Sequence, residues 1–292
     1  QDISNWDVSN VTTMHGLFYR CGEFDQDISS WDVSKVENMR VMFYNASNFN
    51  QPIGTWDVSS VTTMSSMFSN AYKFNQDIST WDVGNVSNMS RMFFNASDFN
   101  QDISTKTINP GAPDEYIAWD VSQVSDMNNM FNYALDFNQD IGNWDVSGVT
   151  DMENMFRRAT SFNQDLSNWD ASLVANMLGM FLEATSFDQN LGDWDITSVT
   201  DMTDMFSGVT LSTDNYNALL KGWALQAVQN SVTFHGGNSQ YTPEYLAYHQ
   251  TLTDTRSWSI TDGGLIHPFS GGDGTSGDPY QIANLDDLRY LS

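Results

Sequence analysis

Residues 26–50 read QDISSWDVSKVENMRVMFYNASNFN, and the chain on both sides repeats this stretch with small changes. The Trp-Asp pair marks the repeat, because Trp6, Trp31 and Trp56 follow one another at steps of 25 residues. One longer step, of 38 residues, separates Trp81 from Trp119. Eight repeats fill residues 1–213. A fixed period of this length indicates a solenoid, in which each repeat buries its apolar face against its neighbours.

Each repeat has two halves with different patterns. In residues 34–49 the apolar side chains recur mostly at steps of three residues, which is typical of one face of a short helix. Ser34 and Glu37 have the spacing of a capping box at the start of that helix. Residues 26–33 are too short and too polar for a helix. They predict a short strand and a turn, with Ile28, Trp31 and Val33 pointing inward.

The methionines form the clearest column of the repeat. All 15 of them fall on two repeat positions, and they share the predicted helix face with Phe and Ala. A methionine column can bind a metal or a partner, but one that shares a face with other apolar residues favours core packing. We therefore predict that these side chains are buried.

Amide and carboxylate side chains also recur at fixed positions. A Gln begins every repeat, and an Asp follows every repeat Trp. Stacked amides can bond along the axis of the stack, and an Asp before a helix can accept backbone N–H bonds in an Asx turn. The sequence therefore predicts a structural ladder that includes Gln26, Gln51, Gln76, Asp32, Asp57 and Asp82.

A second acidic column suggests a metal. Like charges about 5 Å apart repel one another unless they are hydrogen-bonded or bridged by a cation, and calcium accepts carboxylate and amide oxygens in flexible numbers. Calcium is therefore a possible cofactor, either in the ladder or in the irregular C-terminal tail. The alternative is that each carboxylate caps its own turn. The candidate metal ligands are Asp27, Asp77, Asp102, Asp273 and Asp278.

The charge of the chain narrows the choice of partners. It carries 37 acidic and 11 basic residues, a net charge of −26. Such a surface repels nucleic acid, whose binding needs Lys and Arg, and it disfavours anionic membranes. No apolar run is long enough to insert into a membrane. Cations, basic surfaces and neutral glycans remain as partners, and solubility is the alternative explanation of the charge.

The repeat resembles a known family. Its consensus, F-N-Q-D-I-S-x-W-D-V-S-x-V-x-x-M-x-x-M-F-x-x-A, is similar to a bacterial surface protein repeat related to the BspA-like leucine-rich repeats. The resemblance covers residues 1–213. It implies a cell-surface or secreted protein with a role in adhesion or host interaction, and it brings no catalytic residues.

Together these patterns predict an α/β fold. We expect a right-handed, leucine-rich-repeat-like solenoid with one short strand and one short helix in each coil. Residues 214–264 read as helix, strand, helix, strand, with Asp214 and Thr242 as N-caps, and predict an irregular C-terminal cap. Residues 265–292 are rich in glycine and predict a linker or the start of a further module.

The break in the period is the best candidate for a binding site. Residues 105–118, TKTINPGAPDEYIA, replace the single residue that precedes Trp in the other repeats. A loop on a rigid scaffold often carries function, although a tolerated insertion is the alternative. Positions that vary between repeats are weaker candidates, because unconstrained surface positions also vary. The predicted ligand-binding residues are Asn109, Asp114, Glu115, Tyr116 and Ile117 in the insertion, and Arg91, Asn128 and Asn129 on the outer face.

We expect a non-enzymatic binding or adhesion module, extracellular or at the cell surface, that recognises a protein or glycan and is a monomer in isolation. The four histidines are scattered and form no catalytic constellation. The alternative is a passive structural spacer that bound calcium would stiffen. A repeat-array ice binder is a third possibility, but its Thr rows are interrupted by residues such as Glu37 and Ala175.

Overall fold

The structure is a computed structural model that describes residues 2–266, 275–279 and 281. Residues 2–211 form a stack of coils, one for each repeat. Equivalent residues of successive coils pair as single parallel bridges, from Thr13 with Asn38 at one end to Asn176 with Asp201 at the other. The residues expected to form a linker, 265–292, lie mostly outside the described part.

The half of each coil that was predicted to be a helix is instead a series of β-turns. The Met42 N–H donates to the Met39 carbonyl (3.1 Å), and the Ala46 N–H donates to that of Phe43 (2.9 Å). Phe49 closes another turn onto Ala46 (3.0 Å). These bonds span three residues, whereas an α-helix bonds across four. Residues 2–211 contain no helix.

The predicted strand half is also built from turns. Trp31 donates its N–H to the Ile28 carbonyl at 3.1 Å, and Val36 donates to Val33 at 2.8 Å. The prediction of a right-handed leucine-rich-repeat-like α/β solenoid with one strand and one helix per coil is therefore wrong. The regular elements in the described residues are short helices and two small two-stranded sheets, all outside the regular coils.

Left-handed residues explain why the helix does not form. Val41 has φ 51° and Asn45 has φ 61°, and equivalent residues in the other coils also have positive φ. A left-handed residue at the third position of a turn is the pattern of a type II turn, and it ends a right-handed helix at once. Turn corners recur every three residues, so they bury nearly the same side chains as a helix face would.

Neighbouring coils are joined by backbone hydrogen bonds along the axis of the stack. The N–H groups of Met39, Val41, Phe43 and Asn45 all donate to carbonyls of the next coil, at 2.8 to 3.2 Å. The N–H groups between them close the turns within the coil. Each coil therefore satisfies its own backbone partly through its neighbour, which ties its stability to the stack.

The core of the stack consists of columns of identical side chains. All 15 methionines are at most 2 % exposed, which confirms the predicted core role of the methionine columns. Phe43 stacks on Phe49 of its own coil with ring centroids 3.9 Å apart, and on Phe68 of the next coil at 5.6 Å. The indole Nε1 of Trp56 donates to the Ile28 carbonyl of the preceding coil at 3.2 Å. The repeat tryptophans from Trp31 onward therefore both fill the core and join the coils, whereas Trp6 in the first coil is exposed.

A ladder of asparagines runs along one edge of the stack. The side-chain oxygen of Asn100 accepts the N–H of Asn138 (2.9 Å) and Nε2 of Gln139 (2.8 Å). Asn75 does the same one coil earlier, for Asn100 and Gln101. The ladder begins at Asp25 and ends at Asp188, which accepts bonds from Ser212 and Asn215.

Removing one rung of this ladder should weaken the stack. Asn100→Ala leaves two partly buried donors without their acceptor, so we expect the free energy of unfolding to fall by about 1–2 kcal/mol. Urea unfolding followed by tryptophan fluorescence measures the change. Asn168→Ala, at an exposed position, is the control and should be neutral. Equal effects of the two substitutions would show that the ladder contributes nothing.

The insertion forms a β-hairpin within the fifth coil, just before its Trp119. Strand β1 (Lys106–Ile108) pairs antiparallel with strand β2 (Tyr116–Ala118), and Thr107 lies opposite Ile117. The Thr105 hydroxyl donates to the Trp119 carbonyl at 2.8 Å and closes the base of the hairpin. The stack continues across the insertion, because Asn88 still pairs with Asp126.

Helices and a second small sheet follow the last coil. Helix α1 (Thr213–Ala224) begins after Ser212, so Asp214 lies in its first turn and is not the N-cap. A 3-10 turn (Pro243–Tyr245) follows Thr242 as expected, and it leads into helix α2 (Leu246–Gln250) and a π-turn (Thr251–Thr255). Strands β3 (Thr233–His235) and β4 (Ser259–Thr261) pair in parallel. Within the described residues, no helix has the length and apolar character needed to cross a membrane.

A polar cluster holds the elements after the last coil together. The Asp262 carboxylate accepts the hydroxyl of buried Tyr216 at 2.5 Å and lies 3.4 Å from Nε2 of His249, whose ring stacks on Tyr241. Burial raises the pKa of Asp262, but hydrogen bonds from His249, Tyr216 and the Gly264 N–H outweigh it, so this pKa lies below its ordinary value. A lowered pKa means that the ionised carboxylate stabilises the folded state.

This stabilisation should disappear in acid. It is fully present above the unfolded-state pKa of Asp, about 3.9, and is lost as the pH falls through the lower folded-state pKa. We expect Asp262→Asn to be less stable than the wild type at pH 7, and the difference to shrink below about pH 4. Urea unfolding at several pH values measures this difference. Exposed Asp254→Asn is the control, and an Asp262→Asn difference that is constant with pH would contradict the assignment.

Candidate binding cleft beside the insertion

The loop of the hairpin is held by its own polar side chains. Nδ2 of Asn109 donates to Oδ2 of Asp114 at 2.8 Å, and the N–H of Gly111 donates to Oε2 of Glu115 at 2.6 Å. Asn109 and Gly111 have φ of 51° and 81°, the left-handed values that Asn and Gly tolerate best. The loop therefore has a defined shape, and three of the residues predicted to bind ligand are used partly to hold it.

Tyr116 ties the hairpin back onto the stack. Its hydroxyl donates to the Thr80 carbonyl of the fourth coil at 2.6 Å. Ile117 points to the opposite side of the strand and is 47 % exposed. The hairpin thus leans over the preceding coils with Tyr116 underneath and Ile117 outside.

A cleft of about 390 Å³ lies between the hairpin and the third and fourth coils. This volume lies near the lower end of the usual range for small-molecule binding sites. The Trp–Asp turn of the third coil forms one wall, and the hairpin forms another. The residues that line the cleft are Gly54, Thr55, Trp56, Asp57, Val58, Ser59, Thr80, Asp82, Asp114 and Tyr116.

The cleft is strongly acidic. Asp57, Asp82 and Asp114 line it, and no Lys or Arg is among the lining residues. The pKa of the Tyr116 hydroxyl is raised by its burial, and further by the carboxylates of Asp82, Asp57 and Asp114. The raised pKa is what a negative potential in the cleft produces, because a further anion is disfavoured there.

One carboxylate of the cleft has fewer hydrogen bonds than its equivalents in most other coils. Oδ1 of Asp57 accepts the N–H of Ser59 (3.1 Å) and its hydroxyl (2.6 Å). Oδ1 of Asp82 accepts only the Gly84 N–H, at 3.1 Å. The position two residues after the repeat Asp carries a hydroxyl residue in seven coils and glycine only here. Asp82 therefore keeps more acceptor capacity toward the cleft.

The other residues of the predicted structural ladder lie along the stack. Asp32 accepts the N–H and hydroxyl of Ser34 at 3.1 and 2.6 Å, the same turn geometry as Asp57. Oε1 of Gln26 accepts the Ile3 N–H at 3.3 Å. Gln51 donates its amide to Asp25, and Gln76 donates to Asn50. The asparagine that precedes Gln, and not Gln itself, supplies the repeated acceptor.

The predicted metal ligands are not gathered into one site. Asp27, Asp77 and Asp102 each accept the N–H of the serine two residues later, at 2.9 Å, and Asp102 also pairs with Lys106. Asp278 is exposed, and Asp273 lies outside the described residues. In the described part of the chain, no three His, Cys, Asp or Glu side chains are placed to hold a metal ion. Calcium binding stays a prediction.

The outer-face candidates lie away from the cleft. Arg91 is exposed and has φ 57° in a turn. Asn128 donates to Oδ1 of Asp126 at 2.7 Å. Asn129 is only 8 % exposed, and its side chain bonds to Asn128 and Asn132. None of the three candidates lines the cleft.

Sequence reasoning found two of the ten residues that line the cleft, Asp114 and Tyr116, and missed the eight that the coils contribute. The sequence pattern places Asp57 and Asp82 only in the structural ladder and gives no sign that Thr80 and Trp56 line a cleft. Gly84 was the available signal, because it is the one break in the hydroxyl column and lies one repeat before the insertion. The fold-back of the hairpin onto Thr80 has no such signal in the sequence.

Comparison with protein families gives one match. Residues 1–107 and 112–223 match the family described as "Mycoplasma protein of unknown function, DUF285". The chain belongs to this family. The two matched ranges cover most of the coils and part of α1, and the gap between them falls at the turn of the hairpin. The expected membership of a bacterial repeat family is confirmed at this level, whereas a specific relation to BspA-like leucine-rich repeats is not shown.

The family description assigns no activity, so it leaves the function of the cleft open. Comparison with curated proteins and with solved structures gave no match. The case for a function therefore depends on the geometry of the cleft.

Proposed function

We propose that the chain is a non-enzymatic recognition module that binds a protein or glycan ligand through the cleft beside the insertion, outside the cell or at its surface. The observation that supports this proposal is the cleft itself, a concave site of about 390 Å³ between a structured hairpin and two coils. The sequence resemblance to bacterial surface repeats supports the location.

The chemistry of the cleft favours binding over catalysis. Its lining contains carboxylates, hydroxyls and two aromatic rings, but no histidine or cysteine. The Ser59 hydroxyl donates to Asp57 and has no imidazole or amine beside it among the lining residues to activate it as a nucleophile. A rigid stack with a projecting hairpin is a common way to present a binding surface.

Deleting the hairpin tests this function. Removal of residues 106–118 joins Thr105 to Trp119 and restores the 25-residue step, so that the junction reads Ile-Ser-Thr-Trp as it does at Ile78–Trp81. The deletion variant should fold with an unchanged far-UV circular dichroism spectrum. The wild-type chain and the variant would be applied to glycan and extracellular-protein arrays.

We expect saturable binding of the wild-type chain that the deletion abolishes. Binding that survives the deletion would place the ligand elsewhere on the stack. If the wild-type chain binds nothing on either array, recognition is rejected and the alternative of a passive spacer is favoured.

A further inference from the structure

We propose that the ligand group held in this cleft is the arginine side chain of a protein partner. This inference rests on the proposed function and deepens it, because it names the chemical class of the ligand. It follows from the charge, the free acceptors and the shape of the cleft.

Charge complementarity is the first argument. Asp57, Asp82 and Asp114 line the cleft from the third coil, the fourth coil and the hairpin, and no basic residue among the lining side chains balances them. The nearest basic residue of the hairpin, Lys106, pairs instead with Asp102 at 2.9 Å. A bound cation would offset this unbalanced charge, and the partly enclosed site would strengthen the attraction relative to an open surface.

The unused acceptors of Asp82 are the second argument. In the coils where Ser or Thr is bonded to the Asp, as in Asp57, that hydroxyl occupies Oδ1. Gly84 cannot do this for Asp82, although the space is open: a Cβ on Gly84 would lie 3.4 Å from Oδ1 of Asp82, an ordinary contact distance. The missing hydroxyl is therefore not forced by packing. It leaves Asp82 able to accept bonds from a ligand on the cleft side.

The shape and composition of the cleft select arginine among cationic groups. A guanidinium carries five N–H donors in a planar fork and can bond to carboxylates placed on several sides. It also stacks on aromatic faces, and the partly buried ring of Tyr116 lines the cleft, fixed by its bond to Thr80. The ammonium of lysine would also be attracted to the carboxylates, but it has no planar fork of donors.

A sugar fits the same walls less well. A neutral sugar would stack on Tyr116 alone, because Trp56 is only 4 % exposed, and it would leave the charge of the three carboxylates unbalanced. Acidic sugars would meet three carboxylates of like charge. A glycan therefore remains only as an outcome of the test.

The test uses small probes and the full chain. N-acetyl-arginine amide is titrated into isotope-labelled protein, and the ¹H–¹⁵N shifts are followed at low salt. N-acetyl-citrulline amide has nearly the same shape without the charge, N-acetyl-lysine amide has the charge without the plane, and N-acetylglucosamine represents the glycan. We expect arginine to shift the amides of Ser59, Gly84 and Tyr116 most, lysine less, and the other two little.

Three variants assign the effect to the cleft. Asp82→Asn keeps the turn acceptor but removes the charge, and should weaken arginine binding about tenfold, the loss of one charge-assisted hydrogen bond. Gly84→Ser keeps every charge but occupies Oδ1 of Asp82, and should weaken binding in the same direction. Asp32→Asn, at the same repeat position in the second coil, is the matched control and should leave binding unchanged.

The outcomes separate this inference from the proposed function. Equal shifts at all the repeat aspartates, or equal effects of Asp82→Asn and Asp32→Asn, would mean nonspecific attraction to an acidic surface and would overturn the inference. If N-acetylglucosamine changes the chemical shifts of the cleft amides and N-acetyl-arginine amide does not, the inference is also overturned, but the recognition function is not. If arginine binding is unchanged after deletion of residues 106–118, the cleft is rejected both as the recognition site and as the arginine site.

Discussion

Phe131→Ala is expected to destabilise the stack by about 3–5 kcal/mol, the cost of removing a fully buried aromatic ring. Phe131 lies in the middle of the phenylalanine columns, with ring centroids 4.1 Å from Phe137, 5.7 Å from Phe93 and 5.6 Å from Phe156. Because each coil is held mainly by its neighbours, a cavity here weakens two interfaces at once.

Urea unfolding followed by tryptophan fluorescence measures the effect of this substitution. Leu135→Ala in the same coil is the control, since Leu135 is 38 % exposed and its truncation should cost well under 1 kcal/mol. A break in cooperativity, with separate unfolding transitions on the two sides of the fifth coil, would also be consistent with this packing. Equal stabilities of the two variants would contradict the packing of the core.

Gly179→Ala is expected to destabilise the chain by about 2–3 kcal/mol, although Ala is the better helix former. Gly179 has φ +58°, a value that costs an L residue free energy, and a Cβ there would lie 2.5 Å from the buried Oδ1 of Asn154. If residues 172–187 were helical, the same substitution would stabilise the chain by up to about 1 kcal/mol. The turn structure and a helix therefore predict stability changes of opposite sign for Gly179→Ala.

The reciprocal substitution provides the control for this test. Val41 occupies the equivalent position in the second coil. Its φ of 51° is one that a β-branched side chain tolerates poorly. In the turn structure Val41→Gly should be neutral or stabilising, whereas in a helix it should cost about 0.5–1 kcal/mol. Thermal and urea unfolding of both variants decide the sign. Stabilisation by Gly179→Ala together with destabilisation by Val41→Gly would reject the turns.

The buried side chains of the coils could be predicted from the sequence, but the backbone that carries them could not. Met39, Met42 and Phe49 are buried whether the chain between them is helical or turns every three residues, because both arrangements bring such positions to one side. The pattern of apolar residues therefore does not separate the two structures.

One weaker feature of the sequence favours turns over a helix. Asn45, Asn70 and Asn95 occupy one left-handed position in successive coils, and Asn is among the residues that adopt this conformation most readily. The signal is weaker in other coils, where Tyr133 and Arg158 adopt the same φ. Their N–H groups donate to carbonyls of the next coil, and these bonds hold the backbone in that conformation. Propensity is here overridden by hydrogen bonds to adjacent coils.

The elements after the last coil were easier to predict, because they carry ordinary signals. Thr242 followed by Pro243 marks a helical start, and the helix, strand, helix, strand order of residues 214–261 appears in the structure. The cleft was predictable only on the hairpin side. Its other wall depends on the bond from Tyr116 to Thr80, a contact across 36 residues that no local pattern encodes.

Each coil is a series of turns bonded to the next coil, and the hydrogen-bond acceptor of the Met39 N–H distinguishes this structure from a helix. This N–H donates to the Thr63 carbonyl at 3.2 Å, whereas in a helix it would donate to Lys35. Through-hydrogen-bond ¹⁵N–¹³C′ coupling identifies the acceptor by NMR. The turn structure predicts a coupling between Met39 and Thr63. A coupling from Met39 to Lys35 would contradict it.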